Sequence, residues 1–200
     1  MKSSLLVAFG ASLAAALLPL LPAQEQQMPP EMAAAFEKVK AILEPGALHQ
    51  KLADYLGDWD VETSISMAPG QPPMKSKSKA KFSWRIEGRF LQQELKGQLM
   101  GKPYEGFGLI GHDNFKQAFV STWVDNFNTY KLDSEGRLGQ DGKTLIFYGT
   151  LDEYLTGEND KPVKYVYRWK SADQFSFEIH DLAIGEANTC VVTMDYRRAK

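Results

Sequence analysis

Between Trp59 and Arg197 the chain is a series of short β-type runs separated by turn residues, and this pattern limits the fold more than any other feature. The runs are Trp59–Met67, Ser78–Ile86, Phe90–Leu99, Tyr104–Gly111, Ala118–Asp125, Thr129–Asp133, Thr144–Leu151, Val163–Lys170, Phe175–His180 and Thr189–Arg197. Glu87-Gly88, Met100-Gly101, Asp113-Asn114, Glu135-Gly136, Asp141-Gly142, Thr156-Gly157 and Ala172-Asp173 punctuate them. No helical period intervenes. Short connections favour antiparallel neighbours, because a parallel pair needs a long crossover. A meander of about ten strands must close or split into two sheets, since open edges invite pairing with other chains. The expected fold is therefore all-β, an antiparallel up-and-down barrel with a short helical segment ahead of it. At about ten strands the interior has room for a small ligand.

The stretch before the barrel reads differently. Residues 1–23 have Lys2, an uncharged Ala- and Leu-rich core from Leu5 to Leu18, two prolines and a small residue at Ala23. That is the layout of a signal peptide, and it predicts a protein exported to the periplasm or secreted. The apolar run is shorter than a membrane span needs, and nothing later is long and apolar enough, so no integral span is expected after cleavage. Residues 24–56 read as a linker and two short helices, Met32–Leu43 and Ala47–Leu56, and residues 57–200 as the barrel. Phe36, Val39, Ile42 and Leu43 form one face of the first helix. Pro45-Gly46 ends it, and Gly57 stops the second.

Composition narrows the function classes. The net charge of −2 argues against a nucleic-acid face, and removal of the leader, which carries only Lys2, leaves the chain one unit more negative. Cys190 is the lone cysteine and cannot form an internal disulfide; its neighbours Val191 and Val192 predict a buried, inert thiol. Lys75, Lys77, Lys79 and Lys81 alternate with small residues, so they share one strand face, with Phe82 and Trp84 on the other. They read as a solvated strand edge, the alternative being a stripe for anions or lipid headgroups.

Gly57-Asp58-Trp59 opens the first strand, and Tyr196-Arg197-Arg198 ends the last. This pairing resembles lipocalin and calycin barrels. There a first-strand Trp plugs one end and an Arg of the closing strand packs on its indole, a cation–π contact that buries a large ring. A closer resemblance runs from His49 to Arg198. It lies in Gly88-Arg89-Phe90-Leu91, Met100-Gly101-Lys102-Pro103-Tyr104-Glu105-Gly106, Gly111-His112-Asp113, Ser121-Thr122-Trp123-Val124-Asp125 and Asn128-Thr129. On these blocks the chain is similar to the bacterial DUF1579 family, a domain of unknown function. The resemblance implies a lipocalin-like barrel and carries over no substrate or catalytic residue. The family pattern has Tyr where this chain has His112 and in the block of His180, and it has a Pro-containing turn near Asp152.

Motifs for chemistry are sparse. His49, His112 and His180 are far apart in sequence, and a three-histidine metal site is not expected. His112 and His180 lie on strands and read first as half-exposed, hydrogen-bonded imidazoles; the sharper alternative sets them facing each other across the interior. Either would then be a candidate axial haem ligand, haem being considered by analogy with small barrels of this kind. There is no nucleophile elbow, P-loop or dinucleotide fingerprint. Carboxylates such as Glu94, Glu105, Glu178 and Asp125 form no acid–base pair by spacing alone. The expected interior contacts are Trp84, Gln93, His112, Trp123, Thr129, Tyr165, Arg168 and His180, aromatic walls with a few polar groups. The expected function is non-catalytic binding of a small hydrophobic or amphipathic molecule. The alternatives are an enzyme acting on a small molecule in the same interior, and a structural or partner-binding envelope protein that docks through Met32–Leu43.

Overall fold

A computed structural model describes residues 28–66, 71–153, 157–182 and 189–200. The leader at 1–23, most of the linker, Pro69-Gly70 and Thr156 lie outside these residues. The chain divides into two units, Met1–Glu37 and Lys38–Lys200. Helix α1 covers Pro30–Leu43, and its stripe of Phe36, Val39, Ile42 and Leu43 is exposed. No helix among the described residues is long and apolar enough to cross a membrane.

The second unit holds ten antiparallel strands that form a closed barrel. They are β1 (Gly57–Ile65), β2 (Met74–Arg85), β3 (Phe90–Leu99), β4 (Lys102–Asp113), β5 (Ala118–Asp125), β6 (Leu132–Leu138), β7 (Thr144–Glu153), β8 (Glu158–Ser171), β9 (Gln174–Asp181) and β10 (Thr189–Arg198). Each strand pairs with its sequence neighbours, and β1 pairs with β10 to close the ring. Closure leaves no free edge, which corrects the reading of the lysine stripe. Strand β2 lies between β1 and β3, and its lysines stand on the outer face. There Lys79 bonds Asp60 at 2.6 Å and Lys77 lies 3.8 Å from Glu62.

The sixth strand begins later than expected. Asp125 Oδ1 accepts the backbone N–H groups of Phe127 and Asn128 at 2.9 and 3.0 Å. This side-chain turn offers the backbone an alternative to the ladder, so residues 126–131 form a loop. Glu135-Gly136, a turn signal in the sequence, lies inside β6. A Cβ at Gly136 would meet the Ile146 carbonyl oxygen at 2.1 Å, so the glycine marks close approach of two strands.

One barrel end is shut by aromatic packing. Trp59 is fully buried, and its indole N–H donates to the Tyr55 carbonyl at 2.8 Å. Phe175 meets it edge-on at 4.7 Å and stacks on Tyr196 at 4.1 Å. The Arg198 guanidinium lies 4.2 Å from the indole centroid and donates to the Leu56 and Ala172 carbonyls at 2.8 Å each. Both expected closure residues therefore take that role.

Helix α2 (Ala47–Lys51) and a 3-10 turn (Leu52–Tyr55) come just before β1, and Leu52 and Tyr55 join the core. His49 is buried and meets His112 of β4 edge to face at 5.7 Å. Its Nδ1 accepts the Gly46 N–H at 3.1 Å, and its ring bonds the His112 backbone. Burial, then the nearby His112 and Arg89 charges, hold the imidazole below its ordinary pKa. The unfolded chain thus binds this proton more readily than the folded one. Stability from this group is lost as pH falls below the ordinary histidine value of about 6.5. Melting temperature should decline from about pH 7.5 to about pH 5, and His49→Gln should flatten that decline. Asp113 lies next to His112 and titrates at lower pH in both proteins. Parallel pH profiles for wild type and variant would show that His49 is not the sensitive group.

Candidate functional site

The inner face of the barrel follows from strand alternation. Odd-numbered residues of β1, β3, β5, β8 and β9 point inward, as do even-numbered residues of β2, β4 and, from Val192 on, β10. Above the Trp59 plug these side chains enclose a cavity of about 370 Å³. Its walls include Leu95, Ile110, Phe147, Tyr167, Phe177 and Met194, and Gln93 lies there hydrogen-bonded to the Tyr196 hydroxyl at 3.0 Å.

Trp123 lies flat on β4, because Gly106 and Gly108 leave space for it. A Cβ at Gly106 would lie 2.2 Å from Trp123 Cζ2, and one at Gly108 2.7 Å from Cε3. The indole N–H then reaches Asp125 Oδ2 at 3.1 Å, and the Tyr104 hydroxyl reaches the same oxygen at 3.2 Å. Asp125 Oδ1 also accepts the Asn128 side-chain N–H at 3.0 Å. Both carboxylate oxygens are thus occupied, and the group organises the wall. Burial, then the Asp125 charge, push the Tyr104 phenol well above its ordinary range, so it stays protonated and donates. Burial does the same for Tyr165, Tyr167 and Tyr196.

Tyr165 is 7% exposed, and its hydroxyl has no hydrogen-bond partner among the described residues. A buried hydroxyl in that state carries a desolvation penalty of roughly 1–3 kcal/mol.

Of the eight expected interior contacts, Gln93, Trp123 and Tyr165 line the cavity. Trp84 is on the inner face but packs on the core beyond Phe82, at the closed end. His112 is also on the inner face near that end, 4.9 Å from Phe119, with its Nδ1 3.0 Å from Asn114 Oδ1. Thr129 is exposed in the β5–β6 loop, and its neighbours Asn128 and Tyr130 line the cavity instead. Arg168 and His180 are on the outer face and both bond Glu178, at 3.0 and 2.8 Å. His112 and His180 therefore do not face each other, because His180 has the outward parity of β9. No histidine lines the cavity among the described residues, so neither ring supplies an axial haem ligand there.

Cys190 corrects a further expectation: it is exposed, not buried. The register of β10 against β9 shifts between Cys190 and Val192, which turns the thiol outward beside His180. Glu178, His180 and Cys190 bring one ligand atom each within 4.8 Å of one another on that face. Both oxygens of Glu178 are already bonded, to Arg168 and His180.

Tyr104, Asp125, Asn128, Tyr130 and Asp152 are lining residues absent from the expected set. The string Trp123-Val124-Asp125-Asn126-Phe127-Asn128 held the clue for two of them, since Asp followed by polar residues favours a side-chain turn.

The family model "Protein of unknown function (DUF1579)" matches residues 44–198. Among solved structures, Rv2717c from M. tuberculosis superposes with a TM-score of 0.55 at 15% identity, covering 78% of this chain and 100% of that one. A redesigned beta barrel has a TM-score of 0.40 at 14% identity, covering 75% of this chain and 96% of that one. Among curated proteins, none matches the sequence.

Proposed function

The chain belongs to the DUF1579 family, and from that premise we propose that its barrel holds a small hydrophobic or amphipathic molecule after export. The observation that carries this is the apolar cavity itself, whose wall includes Tyr165, a phenol with no hydrogen-bond partner among the described residues. A volume of about 370 Å³ is within the ordinary range of small-molecule sites. Apolar walls with a few fixed polar groups are how such sites combine affinity with orientation. Export rests on the charge and apolar pattern of residues 1–23.

The test is a titration of purified protein with N-phenyl-1-naphthylamine, a neutral apolar fluorophore. Saturable binding at one site per chain, with a raised melting temperature, is expected. Leu95→Trp should fill the cavity and abolish binding while the protein stays folded. Absence of saturable binding by the wild type would overturn the reading. Export is tested separately by N-terminal sequencing of the protein made in a bacterial host. A start near Gln24 is expected, and an intact Met1 in the cytosolic fraction would overturn it.

A further inference from the structure

The charge of the cavity selects among amphipathic ligands. Among the described residues, none that lines it is Lys, Arg or His, whereas Asp125, Asp152 and Glu153 are part of the wall. The five turns at this end hold few bases. Lys131 is paired with Asp133, Lys161 bonds Asp181 at 2.9 Å and lies 3.5 Å from Glu158, and Lys75 and Lys102 are exposed at the starts of β2 and β4. Among the described residues, the lining therefore supplies carboxylates and no base.

On this basis we infer that the cavity takes a small organic cation, an amine with an apolar body, in preference to an anion of the same size. This rests on the barrel being a small-molecule container. The ammonium group has three kinds of partner. The Tyr165 hydroxyl, buried and without a partner among the described residues, can accept one of its N–H bonds. Asp125 and Asp152 attract it through the low-dielectric interior. Asp125 acts by its field, because Tyr104, Trp123 and the loop already occupy its oxygens. The faces of Tyr104, Trp123 and Tyr130 supply cation–π attraction at the same end. A carboxylate in the same position would meet the like charges of Asp125 and Asp152, so fatty-acid anions are disfavoured.

The test compares octylamine, octanol and octanoate, each below its micelle concentration, by calorimetry at neutral pH. The three share a tail and differ in head charge. Octylamine is expected to bind at least about tenfold tighter than octanoate, with octanol between. Asp152→Asn should narrow the amine-to-octanoate ratio without weakening octanol. Tyr165→Phe should weaken octylamine and octanol while the protein stays folded. Octanoate binding as tightly as octylamine, or a ratio unmoved by Asp152→Asn, would overturn the charge selection and leave the container reading standing. Failure of all three to bind would overturn the container reading itself.

Discussion

Replacing Trp59 with Ala should lower the free energy of unfolding by about 4 kcal/mol, the range seen when a large buried aromatic is truncated. Trp59 has no exposed surface, and its indole contacts Phe175 and Trp169. Its N–H bond to the Tyr55 carbonyl ties the segment before the barrel to the first strand. Truncation leaves that carbonyl unpaired and opens a void at the barrel end. The guanidinium of Arg198 would also lose the ring it covers. Arg198→Met should cost less, about 1–2 kcal/mol, because the packing of the ring survives it. Urea denaturation measures both. A loss below about 1 kcal/mol for Trp59→Ala would mean that the end is closed by the surrounding rings without it.

The closure was legible because two rare residue types at the two ends of the barrel sequence must meet there. Trp59 and Arg198 are register partners across β1 and β10. The strand set was legible for a similar reason: alternation and turn residues agree from Phe90 to Asp125. The boundaries failed where side chains rewrote the backbone. Asp125 built a loop where Thr129–Asp133 alternated like a strand, and Gly136 served close packing rather than a turn. The cavity was only partly legible, because a strand face says inward or outward and not how far along the barrel. Trp84 and His112 have inward parity but are at the closed end. Arg168 and His180 fail on parity itself, since Tyr167 and Ile179 take the inner face beside them. Cys190 follows no simple alternation, because the register shifts next to it.

The wall that holds Asp125 gives the second large effect. Gly106→Ala should lower stability by about 1–3 kcal/mol, the usual penalty for overpacking a fitted contact. The added methyl would fall 2.2 Å from Trp123 Cζ2, and also 2.9 Å from Cε2, so the indole has to leave its place on β4. Its bond to Asp125 goes with it, and the ring turns toward the space that a ligand would fill. Trp123→Ala alone also destabilises, by losing that packing. The two changes should not add. With the indole already removed, the methyl at position 106 has room, and its cost should drop below about 1 kcal/mol. The double variant would then be nearly as stable as Trp123→Ala. The wall of the site is thus a single interlocked unit of glycine, tryptophan and aspartate, and a fully additive cycle would show that Gly106 is needed for something other than seating the ring.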